Sequence, residues 1–239
     1  METLKTKLFE LNIFDSITAN YRLHSHENIC ICAIEKGEML FFHDGDEVLL
    51  TPLKIIVFNT NQPHLLKSYK GISKYHILHI FADSHIDVKL IEDSSTCRGF
   101  FSFCDAVLKG NKSDFIGEFL KTYGSNEKSF TKKSNFEAIK RYIDDNIDKN
   151  LSLETIAKKF NLNSSYLSRG FKKEFGLSPV RYLLNRRVHL SKEMLDCGKD
   201  ITQTALELGF CDQAHFYKAF KSIFAITPNE YKKVKILQD

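Results

Sequence analysis

Apolar residues in the second half of the chain recur at helical spacing, and they do so twice. Leu167, Phe171 and Phe175 stand four apart, and so do Phe216, Phe220 and Phe224. An i, i+4, i+8 series places its members on one face of an α-helix. A shorter apolar pattern holding a small residue precedes each series: Ile156-Ala157 through Leu162, and Thr204-Ala205 through Phe210. The copies are offset by 48 residues at Ala157/Ala205, Phe160/Leu208 and Leu162/Phe210. The offset becomes 49 at Leu167/Phe216, Phe171/Phe220, Phe175/Phe224 and Pro179/Pro228, so the second turn carries one extra residue. Each copy therefore predicts a short helix, a polar turn and a second helix. That is a helix-turn-helix, in which the Ala lets the helices approach and the second helix enters a DNA major groove. One such hairpin is a weak signal, but a repeat with parallel internal spacing is a strong one.

Between the copies, Ser178 and Pro179 form an N-cap and first helical residue. Val180, Leu183, Leu184, Leu190 and Met194 continue at helical spacing up to Gly198. A helix of about 20 residues spans roughly 30 Å, close to the roughly 34 Å between successive major grooves on one face of DNA. Asp200 with Gln203 and Thr227 with Glu230 have capping-box spacing, and the amides at those two helix starts are candidate phosphate holders. Phe136, Ile139, Tyr142, Ile143 and Ile147 predict one further helix before the first copy.

The first half has a different period. Ile29–Ile34, Met39–Phe42, Glu47–Leu50, Ile55–Phe58 and Tyr75–Phe81 are short apolar or alternating runs, with turn signals at Asp44-Gly45 and from Asn59 to Pro63. Strands at such regular intervals predict a small antiparallel barrel or sandwich. From about residue 86 to 123 the period lengthens: Phe100, Phe103, Cys104, Val107 and Leu108 fit one helix, and Phe115, Ile116, Phe119 and Leu120 another. The polar stretch 125–135 reads as a linker. The expected organisation is residues 1–124 as one domain and 136–239 as a second.

Charge sharpens this division. Residues 136–239 hold 18 Lys+Arg against 13 Asp+Glu, or +5, whereas residues 1–135 hold 16 against 17, or −1; together they give the +4 of the chain. A basic half beside a neutral one fits a nucleic-acid module joined to another function. The six cysteines lack C-x-x-C spacing, no basic-then-apolar leader opens the chain, and no apolar run approaches a membrane span. A cytoplasmic protein with reduced thiols and no membrane contact is expected.

Tyr166-Leu167-Ser168-Arg169 with Phe171-Lys172-Lys173-Glu174-Phe175-Gly176 resembles the AraC/XylS family of bacterial transcription regulators. Ser178-Pro179, Tyr182-Leu183 and Arg187-Val188 extend the likeness. So do Ile201, Ala205, Gly209-Phe210, Asp212-Gln213, His215-Phe216, Ala219-Phe220-Lys221 and Thr227-Pro228 with Tyr231. It covers about the last hundred residues. Three positions depart from the family pattern: Gly170 stands where a bulky apolar residue is usual, Ala225 where Gly is usual, and Ser191 where Ala is frequent. The resemblance implies an α+β two-domain fold: a cupin-like antiparallel β-barrel with helices, then an all-α double helix-turn-helix. It implies a sequence-specific double-stranded DNA-binding regulator, of the activating kind, that contacts RNA polymerase and answers a small-molecule effector as a homodimer. The helices of residues 97–123 then either form the dimer interface or cap the barrel.

The expected DNA-facing residues are Ser164, Ser165, Ser168, Arg169 and Lys172 in the first copy, and Gln213, His215, Tyr217 and Lys218 in the second. Arg pairs with guanine and Gln with adenine through two hydrogen bonds, whereas Ser discriminates poorly. His24, His26 and His64 are the candidate effector contacts. A metal set, interdomain contact and plain barrel packing are also open to them, but Glu27 follows the His pair too closely and Glu35 comes late, so no metal is expected. Cys30 and Cys32 on one strand face add a softer donor alternative. No nucleophile elbow or Gly-rich phosphate loop is present, so no catalysis and no cofactor are expected. A cupin-type metal enzyme with a DNA-binding appendage, and an architectural DNA protein, are the competing readings. The first requires bound metal and turnover, the second indifference to sequence.

Overall fold

A computed structural model of the chain describes all residues except 1, 18–19, 22, 44–45, 61, 72, 83, 87–89, 126–134, 234–235 and 239. The expected Asp44-Gly45 turn and nearly all of the 125–135 linker lie outside the described residues. Ten strands come first: β1 (Glu2–Lys5), β2 (Phe9–Ile17), β3 (Ile29–Lys36), β4 (Met39–His43), β5 (Asp46–Leu50), β6 (Ile55–Phe58), β7 (Leu65–Ser68), β8 (Ser73–Ile80), β9 (His85–Ile86) and β10 (Leu90–Ile91). Helices α1 (Ser94–Leu108) and α2 (Phe115–Tyr123) follow, then the short β11 (Gly124–Ser125). The helical part comprises α3 (Asn135–Asp144), α4 (Leu153–Lys159), α5 (Ser164–Phe175), α6 (Pro179–Asp196), α7 (Ile201–Glu207), α8 (Gln213–Phe224) and α9 (Pro228–Lys233), with β12 (Ile236–Gln238) last.

The chain forms two compact units, one of sheet and one of helices. The sheet unit takes Met1–Asn20, Ser25–Phe130 and Val234–Asp239; the helical unit takes Tyr21–His24 and Thr131–Lys233. The division is thus not a single cut near residue 124. Leu23 packs on the helical core and its carbonyl accepts from Arg181 Nη2 at 3.4 Å, while β12 extends the sheet beside β1.

Two principal sheets build the first unit, in the orders β10-β6-β3-β8-β2-β1-β12 and β5-β4-β7. The large sheet is antiparallel except for β1 with β12. Neither order closes on itself, so the cupin-like domain is an open pair of sheets rather than a hydrogen-bonded barrel. Strand alternation gives the large sheet two faces. Phe9, Leu11, Ile13, Ile29, Ile31, Ala33, Ile55, Val57, Leu78 and Ile80 share one core with Phe100, Phe103 and Phe119 of α1 and α2. These helices cap the sheet. The opposite face carries Cys30, Cys32 and Phe58, and Phe58 meets Phe41 of the small sheet at 5.5 Å between ring centres.

In the helical unit the repeat is reproduced down to its caps. Ser152 and Asp200 cap α4 and α7, and Asn163 and Asp212 cap α5 and α8. Thr227 and Glu230 form a full capping box: Glu230 Oε2 accepts from Thr227 N at 2.6 Å, and Thr227 Oγ1 from Glu230 N at 3.2 Å. Ser178 sits at the start of α6 without a side-chain capping bond, so Pro179 provides the start there. The turns also correspond. Asn161 (φ 52°) and Gly209 (φ 69°) hold the same left-handed position after the first helix of each hairpin. Asn tolerates that conformation. Gly209 has a further reason, since a Cβ there would stand 2.4 Å from the Asp148 carbonyl oxygen.

Helix α6 departs from its apolar pattern. Val180 is exposed, whereas Asn185, Arg187 and Ser191 are buried. The helix lies between the two hairpins and is covered on more than one side, so a single-face reading of its apolar residues misses what it buries. Ser191 Oγ donates to its own helix, at Val188 O, 2.7 Å away. This satisfies the hydroxyl at the position where the family frequently has Ala.

Helices α5 and α8 both end on a left-handed residue, Gly176 (φ 69°) and Ala225 (φ 61°). A Cβ in that conformation costs about 1 kcal/mol or more. Ala225→Gly should therefore stabilise the full chain by about 1 kcal/mol and raise its denaturation midpoint, and Gly176→Ala should destabilise it by a similar amount. Equal, null responses in denaturant titrations would show that neither cap limits stability.

Candidate nucleic-acid interface

The outward faces of α5 and α8 follow from what their other faces bury. Leu167 and Phe171 are buried, with Phe175 half-buried beside them; Phe216, Ala219, Phe220 and Ile223 are buried in the second copy. The aromatic rings interlock: Phe171 with Phe175 at 4.5 Å and Tyr182 at 5.7 Å, Phe216 with Phe210 at 4.9 Å, and Phe220 with Phe224 at 4.8 Å and Tyr231 at 5.7 Å.

Ser165, Arg169 and Lys172 are exposed, and their i, i+4, i+7 spacing makes one stripe on α5. Ser164 and Ser168 are half-buried along its flank. On α8, Gln213, His215 and Lys218 are exposed and Tyr217 is half-buried. His215 leans edge-on against Phe210 at 5.4 Å, and Tyr217 meets Phe216 at 6.2 Å. Arg169 and Lys218 occupy equivalent positions, 49 residues apart, so each second helix offers a cation at the same place. Tyr166, 55% exposed and 5.9 Å from Phe136, is an aromatic residue on this side that the sequence reading left out. Its position directly before the inward Leu167 was the available signal.

The helix starts at Asp200 and Thr227 are poor phosphate holders. Asp200 already accepts from Thr202 N at 2.8 Å and Gln203 N at 3.1 Å, and Glu230 occupies the Thr227 amide. These carboxylates satisfy the amides and oppose another anion.

Arg187 joins the two hairpins. It is 7% exposed, and its guanidinium donates from Nε to Ile147 O at 2.8 Å, from Nη2 to Lys149 O at 2.7 Å and from Nη1 to Gly209 O at 2.8 Å. Burial lowers its pKa from the usual guanidinium value, with Cys211 and Asp148 opposing that shift. Ile147 and Lys149 lead into the first hairpin, and Gly209 lies in the turn of the second. Tyr182 and Arg186 of α6 also fix α3, both bonding Asp144 at 2.9–3.0 Å. At the other end of α6, Asp196 accepts from the Tyr231 hydroxyl.

Of the candidate effector contacts, His26 and His64 are buried in the sheet unit and stand 5.1 Å apart between ring centres. His24 is buried and stacks on Tyr21, within the stretch grouped with the helical unit. Glu27 is exposed, and Glu35 is engaged by Lys74 and His76 at 2.8 Å each. Burial pushes the Cys30 thiol up to about 12, and burial with Cys30 nearby holds Cys32 well above the usual thiol range.

Two family models match the chain: an AraC-like ligand-binding domain over residues 9–82 and a helix-turn-helix domain over residues 156–233. The Transposon Tn10 TetD protein of Escherichia coli is 33% identical over 96 residues, which is 40% of this chain and 70% of that protein. The chain belongs to the AraC/XylS family of transcription regulators. The probable transcriptional regulator LumQ of Photobacterium leiognathi is 22% identical over 250 residues, 96% of this chain and 98% of that protein. The Msm operon regulatory protein of Streptococcus mutans is 33% identical over 108 residues, and the match spans only 39% of that relative. ToxT of Vibrio cholerae shares the fold, with a TM-score of 0.65, 17% identity, and coverage of 95% of this chain and 97% of that one. Among the described residues no helix is long and apolar enough to cross a membrane.

The family's bulky apolar position at Gly170 is filled from elsewhere. A Cβ on Gly170 would lie 2.2 Å from Cζ of Phe136, so the α3 ring occupies the place of the missing side chain. Helix α5 runs unbroken through it. Helix propensity alone favours Gly170→Ala by about 1 kcal/mol. The expected result is that Gly170→Ala destabilises the native chain but stabilises a Phe136→Ala background, a coupling of about 1 kcal/mol or more. Additive effects in that cycle, measured by denaturant titration, would contradict the seating of Phe136.

Proposed function

We propose that the outward faces of α5 and α8 read two segments of double-stranded DNA in successive major grooves, and that this controls transcription at specific operators. The observation that carries this reading is the pairing of Arg169 and Lys218 at equivalent positions on two helices tied through Arg187. Arg169 and Gln213 are assigned base contacts. Lys172 is assigned a phosphate contact, and Ser165 and Lys218 share base and phosphate contacts, with Ser164, Ser168, His215 and Tyr217 flanking them. The helical unit, Thr131–Lys233 with Tyr21–His24, acts as the DNA-binding domain, and the sheet unit, which also takes β12, acts as the sensing domain. The protein acts in the cytoplasm as a homodimeric activator that engages RNA polymerase, without catalysis of its own.

The signal enters through the sheet unit, where His26 and His64 mark the candidate contact surface; His24 is the third member of that sequence pattern. ToxT of Vibrio cholerae, which shares the fold, has been crystallised with an unsaturated fatty acid, which supports a small-molecule effector here. A ligand controls the protein only by favouring one arrangement of its states over another.

Base reading and phosphate holding separate experimentally. Arg169→Ala should cost about 1–3 kcal/mol on the cognate site and relax preference at one base pair. Lys172→Ala should weaken cognate and random duplexes alike and reduce the slope of log affinity against log salt by about one. Equal losses for Arg169→Ala on both duplexes, across a salt series, would remove it from the base readers.

A further inference from the structure

The inner face of the large sheet carries a row of side chains unlike a hydrophobic core. Cross-strand pairing sets Glu10 of β2 opposite His79 of β8, His79 opposite Cys30 of β3, and Cys30 opposite Phe58 of β6. His26, on the segment entering β3, places its ring 4.5 Å from that of His79, edge-on. One donor atom from each of His26, Cys30 and His79 lies within 4.8 Å of the others. Three of these strands form the middle of the large sheet, and both His26 and Cys30 are buried.

We propose that His26, Cys30 and His79 bind a thiophilic divalent cation of the zinc class, with His64 as the fourth ligand. This gives a chemical identity to the sensing surface proposed above and rests on that reading only for its role as a signal. One thiolate with imidazoles is a soft-to-borderline donor set, which selects zinc-like ions over magnesium or calcium. Tetrahedral coordination at ordinary bond lengths sets donors about 3.3–3.6 Å apart. The present separations thus close by rotation of side chains, with the thiol proton passing to water. His64 is the neighbouring imidazole for the fourth position, with its ring centre 5.1 Å from that of His26; it lies flat on Phe58 at 3.9 Å, and its Nδ1 is 2.9 Å from the Gln62 carbonyl. A carbonyl only accepts, so Nδ1 carries the hydrogen and the lone pair is on Nε2. Glu10 stands beside His79, with Asn12 Nδ2 donating to its Oε1 at 2.8 Å and Lys5 opposite it on β1. A carboxylate next to a ligating histidine is the usual outer partner of such a site. Neither Glu27 nor Glu35 takes part; Cys30 and His79 enter through strand pairing, which the spacing of His24, His26 and His64 does not reveal.

The test uses the full chain, stripped of metal under reducing conditions, titrated with Zn2+ against a chromophoric chelator and separately with Co2+. One equivalent per chain is expected, with a thiolate-to-cobalt charge-transfer band in the near ultraviolet. Cys30→Ser should abolish the band, and Cys30→Ser and His79→Gln should each weaken Zn2+ binding more than about tenfold. The paired change Cys197→Ser with Cys211→Ser, at the two exposed cysteines, should leave both readouts intact. Circular dichroism verifies folding, and if Cys30→Ser fails to fold, His79→Gln decides. The site is overturned by the absence of stoichiometric binding, or by binding that survives in His79→Gln, or by binding lost only with the exposed thiols. Metal is measured without DNA, so such a failure would leave the DNA-binding reading standing.

Discussion

A single buried guanidinium holds the DNA-binding unit in one shape. Arg187 enters from α6 and donates to carbonyls on both sides of that helix, two before α4 and one in the turn between α7 and α8. Charge-assisted bonds of this kind are worth about 1.5–3 kcal/mol each. Their larger consequence is geometric, because three directional bonds from one planar group fix both hairpins against one another. The clasp depends in turn on Gly209, whose absent side chain leaves room for the Asp148 carbonyl and the Arg187 nitrogen, 2.4 and 2.9 Å from where a Cβ would be. Phe210 completes the enclosure, with its ring centre 5.9 Å from the guanidinium carbon.

Around this clasp the two hairpins are variations on one plan. Caps, turn residues and buried phenylalanines recur in register, while local substitutions are absorbed by neighbours. Phe136 fills the space over Gly170, and Ala225 takes a left-handed conformation that Gly176 adopts freely. The copies can therefore diverge on their outward faces, with Ser165, Arg169 and Lys172 on one and Gln213 and Lys218 on the other, without loss of the common scaffold. On the proposed reading, this separation between a shared interior and different exteriors is what lets one domain read two unlike segments.

The helical half was legible because helical period, caps and turns are local signals, and the repeat shows each of them twice. What escaped depends on contacts distant in sequence. Asn185, Arg187 and Ser191 look like solvated positions on a helix, and become interior only because both hairpins cover α6. In the first half, β1, β2, β7, β9 and β10 went unread, although in β2 Phe9, Leu11 and Ile13 alternate with Glu10 and Asn12 as a half-buried strand should. Polar residues on the inner face disguised β2. The same pairing that buries Glu10 brings Cys30 and His79 together, and no spacing along the chain encodes that. The candidate DNA stripe was largely readable, apart from Tyr166 and the engagement of His215 with Phe210.

If Arg187 and α6 make the two hairpins a single ruler, the spacing of their DNA segments is fixed. Helix α6 has 18 residues, or about 27 Å, and the reading helices flank it, within reach of grooves roughly 34 Å apart. Selection of bound duplexes from a random pool measures this directly. The account predicts two preferred blocks with centres about 10 base pairs apart at one constant spacing, and affinity that falls to the level of a single block when five base pairs are inserted between them. A single preferred block, or affinity indifferent to the insertion, would contradict it.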